Sequence, residues 1–257
     1  MTALCHSHSY NLLHHWQQQH AWGKTKSQHN ASLRSVHDLV GQRIGILGYG
    51  SIGRQVARVA SAMGSTVLAY TASPRPTPAS KKDRGFIVPG TGDPDGSIPK
   101  EWYSGLDEES LHNFLAQDLD HLLVSVPLTK ETTHFLAAPE FEILSRRNAF
   151  ISNISRGQII HQDDLIDALR LYAKDTMDGK EGKDRRGLKG AALDVTDPEP
   201  LPKESPLWSA PNCIVTPHIS GLGSAYLDRA MQVLEVNLGR RERGERMINV
   251  VDRKKGY

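Results

Sequence analysis

Residues 42–70 read QRIGILGYGSIGRQVARVASAMGSTVLAY and carry the strongest structural signal in the chain. The apolar run at residues 43–47 predicts a buried β-strand, and residues 66–70 predict a second strand. Between them, apolar side chains recur at helical spacing until Gly64, a residue typical of helix ends. A strand, a glycine turn, a helix and a second strand in this order predict a β-α-β unit.

The glycine turn of this unit has the pattern G-x-G-x-x-G, formed by Gly48, Gly50 and Gly53. The first glycine allows a tight turn, the second lets the backbone approach a pyrophosphate, and the third lets the helix pack on the strand. The N–H groups at the start of the helix then face the phosphates. The pattern alone is weak evidence, but a strand before it and a helix after it make it predict a dinucleotide-binding site.

The composition argues against several other classes of protein. The 257 residues include 31 Lys and Arg and 29 Asp and Glu, so a net charge of +2 does not favour nucleic acid or an acidic membrane as a partner. Cys5 and Cys213 are too few for a disulfide framework or a thiolate metal site, which fits a reducing compartment. Residues 1–10 lack the pattern of a signal peptide, and no apolar stretch has the length of a membrane span. We therefore expect a soluble protein of the cytoplasm.

Further strands and helices are expected to alternate along the rest of the chain. The expected strands are residues 120–126, 149–154, 188–195 and 213–219, and the expected helices are residues 108–116, 139–144, 163–172 and 226–238. Asp163 is predicted to cap the third of these helices. Strands that alternate with helices at this spacing predict an α/β fold with a Rossmann-type, doubly wound parallel sheet.

Three segments have weaker patterns. Residues 2–22 are predicted to form one amphipathic helix that leads into a linker, and residues 71–109 a long surface excursion with no buried element before Trp102. Residues 174–186 mix charges with glycines, which indicates a disordered or mobile loop rather than a binding patch. The first helix also contains histidines, but pairs such as His14 and His20 do not lie on one face. A solvated or interface helix is therefore favoured, and no metal site is predicted.

Polar residues come just beyond several predicted strands, namely Arg156, Asp194, Glu199 and His218. In a doubly wound sheet, ligands bind beyond the carboxyl ends of the strands, so these residues are the candidates for chemistry. The set comprises an arginine able to bind an anion, carboxylates that can tune a pKa, and a histidine able to donate a proton. Such a set suits proton-coupled hydride transfer to a carbonyl beside a carboxylate. A purely structural role stays open for each residue. Arg156 could form a surface ion pair, and Asp194 could cap a helix or turn. Glu199 could be a charge on a loop, and His218 a hydrogen-bonded histidine at a strand end.

Five segments also follow one another in a specific order. They are GYGSIG at residues 48–53, VPLTKETT at residues 126–133, NISRG at residues 153–157, ALDV at residues 192–195 with DPEP at residues 197–200, and TPHISG at residues 216–221. Together they resemble the D-isomer-specific 2-hydroxyacid dehydrogenases, above all the fungal members and the glyoxylate/hydroxypyruvate reductase branch. The resemblance covers roughly residues 12–257 and implies a Rossmann-type sheet with flanking crossover helices.

The resemblance implies a role for each of the polar residues. Arg156 would bind the substrate carboxylate and polarise its carbonyl, for which a bidentate guanidinium is well suited. His218 would protonate the carbonyl oxygen as hydride arrives, and Glu199 would hold the other ring nitrogen and favour the charged imidazole. Asp194 would bind the nicotinamide carboxamide. Glu199 also separates the chain from the formate dehydrogenase branch, which resembles this pattern but has a glutamine at that position.

The predicted cofactor contacts lie along the same edge of the sheet, and most of them are implied by the resemblance. They are Gly48, Gly50, Ser51, Ile52, Gly53, Thr71, Ser73, Arg75, Val126, Pro127, Thr133, Ile154, Ser155, Asp194 and Gly221. Thr129 and Thr133 have a second interpretation, as caps of the helix that follows.

The choice of dinucleotide depends on the residues after the second strand. Residues 71–76 read TASPRP and lack the acidic residue that NAD-specific folds place near the ribose. Ser73 and Arg75 could instead receive a 2′-phosphate, which an acidic residue would repel. NADP(H) is therefore favoured and NAD(H) is possible. The alternative is that Arg75 points into solvent from a proline-stiffened loop.

The predicted organisation has three parts. Residues 1–38 form a crossover helix and linker, residues 39–221 the dinucleotide-binding domain, and residues 222–257 a returning helix and tail of an incomplete substrate domain. The family is built as a two-domain hinge protein, and the N-terminal part of its substrate domain is expected to be missing here. The expected partners are a small 2-keto or 2-hydroxy acid, such as glyoxylate or hydroxypyruvate, and a second copy of the chain. The alternative function is a catalytically impaired dinucleotide-binding or corepressor-like dimerisation module.

Overall fold

The structure, a computed structural model, describes residues 1–22 and 36–253. Its strands are β1 at Arg43–Leu47, β2 at Thr66–Thr71, β3 at Glu101–Ser104, β4 at His121–Val124, β5 at Phe150–Asn153, β6 at Gly190–Leu193 and β7 at Cys213–Val215. They form one sheet in the order β3-β2-β1-β4-β5-β6-β7, and each neighbouring pair is parallel. The predicted Rossmann-type, doubly wound α/β fold is thereby confirmed.

Helices connect most of these strands. Those of the described residues are α1 at Thr2–Ser7, α2 at Tyr10–Gln18, α3 at Ser51–Ala62, α4 at Pro78–Lys81, α5 at Glu108–Leu115, α6 at Ala138–Ser145, α7 at Gln162–Met177 and α8 at Tyr226–Glu242. Short 3-10 turns lie at Gly157–Ile159, Gly182–Asp184 and Pro206–Ser209. Among the helices of residues 1–22 and 36–253, none combines the length and the apolar character needed to cross a membrane.

The sheet is buried on both faces. In β1, Leu47 belongs to a cluster with Tyr70 and Phe114, whereas its neighbour Ile46 belongs to a second cluster with Ala57 of α3. Successive side chains of a strand point to opposite faces, so the two clusters lie on the two sides of the sheet. Parallel strands covered on both faces need apolar residues at successive positions, which explains the apolar run at residues 44–47 of β1.

The excursion between β2 and β3 differs from its prediction. Residues 101–104, expected to lie within an irregular surface segment, form the edge strand β3 and pair with β2. The excursion is also attached to α3 by Arg54, which is only 5% exposed and donates to the carbonyl oxygens of Asp93 at 2.6 Å and Lys81 at 2.7 Å. The excursion is thus held to α3 by polar contacts. Apolar periodicity in the sequence does not reveal such contacts.

The N-terminal segment is not one helix. Ser9 adopts a left-handed conformation, with φ of 51°, and separates α1 from α2. The ring of His6 on α1 stacks on Phe150 of β5, with ring centroids 4.5 Å apart, so α1 packs against the sheet. The predicted linker at residues 24–34 lies outside the described residues.

Helix α7 and the charged segment after it also correct the predictions. His161 precedes α7 without a side-chain cap bond, so Asp163 is not its cap. The helix continues to Met177, into the segment predicted to be a disordered or mobile loop. The turn beyond it is organised by the buried Asp175, which accepts hydrogen bonds from Lys180 Nζ at 2.7 Å and from the Arg186 N–H at 2.9 Å. A single buried carboxylate therefore orders a segment whose composition suggested mobility.

Candidate active site

The glycine turn lies at the carboxyl edge of the sheet, where the parallel strands end. Gly48 has φ of +102°, and a Cβ on it would lie 2.7 Å from the carbonyl oxygen of Ser125 after β4. A Cβ on Gly53 would overlap the carbonyl oxygen of Gly48. A Cβ on Gly50, in contrast, would meet no atom within 4 Å, so the backbone at the start of α3 is open on that side. This geometry fits the close approach of a pyrophosphate to the N-terminus of a helix.

The remaining predicted cofactor contacts near this turn are arranged along the ends of β4 and β5. Ser51 and Ile52 are exposed in the first turn of α3. The Ser155 hydroxyl donates to the carbonyl oxygen of Val126, and the Ile154 N–H donates to the carbonyl oxygen of Val124 at 3.2 Å. The segments just beyond the two strands are therefore joined, and Pro127 lies three residues beyond the end of β4.

The threonines after β4 divide their roles differently from the prediction. Thr132, which is not among the predicted contacts, is buried. It accepts the Thr129 N–H at 2.8 Å and donates to the Pro127 carbonyl at 2.7 Å. Thr133 is exposed, and its hydroxyl donates to the Thr129 carbonyl at 2.8 Å. Thr132 thus builds the turn after β4. Its position two residues after a lysine gave no local signal that distinguished it from Thr133.

The loop after β2 contains the residues predicted to receive a 2′-phosphate. The Thr71 hydroxyl donates to the carbonyl oxygen of Ser73 at 2.8 Å. The Arg75 guanidinium is exposed and donates from Nη1 to the carbonyl oxygen of Ser80 at 3.0 Å. Ser73 is exposed as well, so both candidate phosphate contacts are accessible.

His218 and Glu199 form a direct pair. Nδ1 of His218 lies 2.9 Å from Oε2 of Glu199, and Oε1 of the same carboxylate accepts the Thr196 N–H at 2.9 Å. Burial by itself raises the pKa of Glu199, but the hydrogen bonds from His218 and Thr196 lower it below its usual value. A charged carboxylate bound to Nδ1 sets the orientation of the ring and directs Nε2 away from Glu199.

Asp194 organises the turn that carries His218. This buried carboxylate accepts the Thr216 hydroxyl at 2.5 Å, the Ile219 N–H at 3.0 Å and the Ser220 N–H at 2.8 Å. Burial raises its pKa, yet these hydrogen bonds bring the pKa below the usual value. The His218 N–H donates to the Asp194 carbonyl at 2.8 Å, and His218 has φ of 53°. The turn-cap role left open for Asp194 is therefore present. A contact with nicotinamide stays a prediction.

Arg156 lies at the end of β5, beside the loop that carries Glu199. It is exposed, and its Nη1 donates to the Ser155 carbonyl at 2.6 Å. Its charge contributes to the lowered pKa of Glu199. A Cβ on Gly157 would overlap the carbonyl oxygen of Thr196, so the two loops touch at this point. The structure thus brings Arg156 close to the paired Glu199 and His218. Gly221, the last predicted contact, lies just beyond the His218 turn.

One group in the described part of the chain has the composition of a metal site, namely Glu108, His112 and Glu140. Nε2 of His112 lies 2.6 Å from Oε1 of Glu140, whose other oxygen accepts the Ala137 N–H at 2.9 Å. These contacts join α5 to α6 by a side-chain hydrogen bond. The histidines of α1 and α2 form no comparable group within the described residues.

Comparison with known proteins gives consistent relatives. A family model for the "D-isomer specific 2-hydroxyacid dehydrogenase, NAD binding domain" matches residues 1–88 and 93–220. A glyoxylate reductase from Korarchaeum cryptofilum is 28% identical over 233 residues, which are 90% of this chain and 58% of that protein. The human glyoxylate reductase/hydroxypyruvate reductase is 32% identical over 202 residues, 78% of this chain and 50% of the human one. The chain thus spans about half the length of these curated relatives.

Solved structures show the same likeness. A probable 2-hydroxyacid dehydrogenase from Rhizobium etli, in complex with NADP, is 26% identical, with a TM-score of 0.69 over 100% of this chain and 67% of that one. An NADPH-dependent glyoxylate/hydroxypyruvate reductase from Sinorhizobium meliloti, also with NADP, is 26% identical. Its TM-score is 0.68 over 99% of this chain and 66% of that one. A D-mandelate dehydrogenase from Rhodotorula graminis, 21% identical with a TM-score of 0.72, shares the fold and covers 97% of this chain and 62% of its own.

Proposed function

Because this chain belongs to the D-isomer specific 2-hydroxyacid dehydrogenase family, we propose that it is part of an NAD(P)-dependent oxidoreductase of small 2-hydroxy acids. The observation that carries the proposal is the 2.9 Å contact between His218 Nδ1 and Glu199 Oε2, with Arg156 beside it. Glyoxylate and hydroxypyruvate are the proposed keto substrates, since curated relatives are named as their reductases.

The proposed reaction divides between the cofactor and this chain. When bound, the nicotinamide cofactor supplies the hydride that reaches the carbonyl carbon of the 2-keto acid. Nε2 of His218 gives its proton to the carbonyl oxygen and accepts it back in the reverse direction. Glu199 holds Nδ1 and stabilises the charged ring, and Arg156 binds the substrate carboxylate through its guanidinium. A hydride and a proton together convert the ketone to the hydroxyl group.

NADP(H) is the proposed cofactor, with NAD(H) as the second choice. The glycine turn and the open start of α3 fit the pyrophosphate, and the loop after β2 has a basic side chain, Arg75, where NAD-specific folds have an acid. Relatives in solved structures contain NADP or NADPH. The other predicted cofactor contacts, from Ser51 to Gly221, belong to this proposal.

The domain boundaries and the assembly are further parts of the proposal. Residues 39–221 are proposed as the dinucleotide-binding domain and residues 1–38 as a crossover helix and linker. Residues 222–257 are proposed as the returning helix and tail of an incomplete substrate domain. A homodimer is proposed because exposed apolar residues lie on the outer helices, among them Leu13 on α2 and Leu227 on α8. The cytoplasm is the proposed location, since the chain has only two cysteines.

A titration with two readouts tests the function. Binding of NADPH and NADH is measured by nucleotide fluorescence, and glyoxylate and hydroxypyruvate are then added to follow oxidation. In a full-length form, H218Q is expected to lower kcat by about 10²–10⁴-fold, the usual contribution of general acid catalysis. The matched control is H161Q, because Nδ1 of His161 also lies near a carboxylate oxygen, 3.0 Å from Oδ2 of Asp164. Tight nucleotide binding without turnover would favour the dimerisation module instead.

A further inference from the structure

The excursion between β2 and β3, residues 72–100, begins at a functionally important place. In doubly wound folds, the residues just after the second strand contact the ribose of the cofactor. The excursion starts there, carries Ser73 and Arg75, and returns to the sheet only at β3. Its position is therefore able to influence which dinucleotide binds, provided that something holds the excursion in place.

Arg54 provides the first attachment. This residue lies in the first turns of α3, and its N–H donates to the carbonyl oxygen of Gly50 at 2.9 Å. Its guanidinium donates to the Asp93 carbonyl at 2.6 Å and to the Lys81 carbonyl at 2.7 Å, and Nε lies 3.7 Å from Oδ2 of Asp83. A buried arginine is tolerated only when its donors are satisfied, so these contacts hold the excursion firmly.

Tyr49 provides the second attachment, from within the glycine turn itself. Its hydroxyl donates to Oδ2 of Asp93 at 2.8 Å, and both side chains are buried. The Asp93 carboxylate also accepts the N–H groups of Ser97 at 3.1 Å and Ile98 at 3.2 Å. The Arg54 guanidinium carbon lies 5.0 Å from the centroid of the Tyr49 ring. The turn that faces the pyrophosphate and the excursion therefore share one buried polar cluster, formed by Tyr49, Arg54 and Asp93.

The cluster is connected to Arg75 through α4. Nη1 of Arg75 donates to the Ser80 carbonyl at 3.0 Å, and Nη2 of Arg54 donates to the carbonyl of the next residue, Lys81. The start of α4 is itself fixed, because Thr77 and Ser80 form a reciprocal capping box. A buried guanidinium and an exposed one thus hold consecutive carbonyl groups of the same short helix.

We propose that Tyr49, Arg54 and Asp93 are positioning residues that fix Arg75 for contact with the 2′-phosphate of NADPH. The inference rests on the proposed NADP(H) function and extends it to residues that do not touch the phosphate. A guanidinium held in place loses less conformational freedom on binding an anion than a mobile one does. Weakening the cluster therefore lowers the affinity for NADPH and leaves the affinity for NADH almost unchanged.

The test is a double-mutant cycle on nucleotide binding, which needs no turnover. Kd values for NADPH and NADH are measured by nucleotide fluorescence for the native chain, Y49F, R75Q and the double variant. Y49F removes only the hydroxyl and keeps the ring packed against Trp102, 4.9 Å away between centroids. The matched control is Y103F, because the Tyr103 hydroxyl also binds a carboxylate, Glu101, at 2.5 Å, outside the cluster.

We expect R75Q to lower the preference for NADPH by about tenfold or more, the value of one charge-assisted hydrogen bond. Y49F should lower the preference by about threefold, with the Kd for NADH within about twofold of native. In the R75Q background, Y49F should have no further effect, because residues that act through one another are not additive. Y103F should bind both nucleotides as the native chain does.

Other outcomes have distinct meanings. If Y49F weakens NADPH and NADH equally, or if its effect adds in full to that of R75Q, the positioning role is wrong while the proposed function stands. If the native chain binds both nucleotides without preference, the choice of NADP(H) is wrong and the inference falls with it. If the native chain binds neither nucleotide, the proposed function itself is contradicted.

Discussion

At the scale of single residues, Glu199 shows how the site controls a histidine. Its Oε2 lies 2.9 Å from Nδ1 of His218, and its pKa is lowered although burial alone would raise it. A carboxyl with a lowered folded-state pKa favours folding at pH values above its unfolded pKa. This contribution is lost as pH falls through the folded value.

Glu199→Gln keeps the shape of the side chain and removes its charge. In a full-length form we expect kcat to fall by about 10²-fold or more, because the ring loses the partner that stabilises its charged form. The control is E204Q, an exposed glutamate on the same loop, which should behave as native. An unchanged kcat in E199Q would show that Glu199 is only a loop charge.

Some residues of the candidate site can be predicted from the sequence, and others cannot. Arg156, Glu199 and His218 were predicted because each follows an apolar run, which is a local pattern. Thr132 and Thr216 were not selected, since their hydroxyl contacts depend on the path of the backbone around them. Asp194 was identified, but its bonds to the His218 turn became visible only in three dimensions.

At the scale of elements, two glycines at the carboxyl edge differ in what surrounds them. A Cβ on Gly157 would overlap the Thr196 carbonyl oxygen, whereas one on Gly50 would meet no atom within 4 Å. Gly50 also has φ of −86°, which alanine adopts readily. Gly157 is thus required by the contact between two loops, whereas Gly50 leaves room at the start of α3.

Gly50→Ala and Gly157→Ala should therefore fail in different ways. We expect G50A to keep the native Tm and to lose affinity for NADPH, because the added methyl group keeps the pyrophosphate from the backbone. G157A should unfold more easily, by about 1–3 kcal/mol, the usual cost of overpacking. Thermal unfolding and NADPH titration measure both effects. Native NADPH affinity in G50A would contradict the site assigned to the glycine turn.

Helix α1 introduces a dependence on pH. Burial lowers the pKa of His6 to about 4, and the charges of Lys189 and His37 act in the same direction. Since this value is below the usual 6.5, the folded state favours the neutral ring. Neutral His6 is therefore compatible with folding above pH 6.5, and protonation opposes the packing of α1 as pH falls towards about 4.

Urea unfolding at a series of pH values tests this behaviour. We expect the free energy of unfolding to fall from pH 6.5 towards pH 4, by at most about 1.4 kcal/mol per pH unit for one histidine. H6Q should reduce that slope, because glutamine does not titrate. His121, whose pKa burial lowers to about 3, keeps part of the slope in the variant. H8Q is the control, since His8 is exposed and should leave the slope unchanged.

At the scale of the whole molecule, α8 has an exposed apolar stripe. Leu227, Met231 and Leu234 are 73%, 62% and 48% exposed and recur at helical spacing, so they lie on one face. No residue of this helix is buried. Contiguous exposed apolar surface of this kind is typical of an interface, which is the basis for the proposed homodimer.

Leu234→Glu should weaken association of the chain. A charge in the middle of an apolar interface loses its hydration without gaining a partner, so we expect the dimer dissociation constant to rise at least about tenfold. Sedimentation velocity over a range of concentrations measures the change. Gln232→Glu introduces the same charge off the stripe and should leave the association as it is. A native chain that is monomeric at high concentration would contradict the proposed dimer.

Local sequence patterns predict the β-α-β unit, the alternation of the other strands and helices apart from β3, and the candidate residues at the strand ends. These features depend on apolar periodicity and glycine spacing within short segments, which a single chain displays directly. The predicted strands appear within a few residues of their expected bounds. The single helix predicted at residues 2–22 is wrong, because the left-handed Ser9 divides it and its second part ends at Gln18.

Three features depend on contacts that form only in the folded chain, namely the edge strand β3, the buried cluster of Tyr49, Arg54 and Asp93, and the turn around His218 that Asp194 stabilises. Arg54 and Asp93 are 39 positions apart in the chain. Contacts between polar groups so far apart in the chain produce no periodic pattern in the sequence. A buried arginine or aspartate therefore looks the same in the sequence as an exposed one. Their burial and their partners depend on the folded backbone, which brings the glycine turn and the excursion that carries Arg75 together at this cluster.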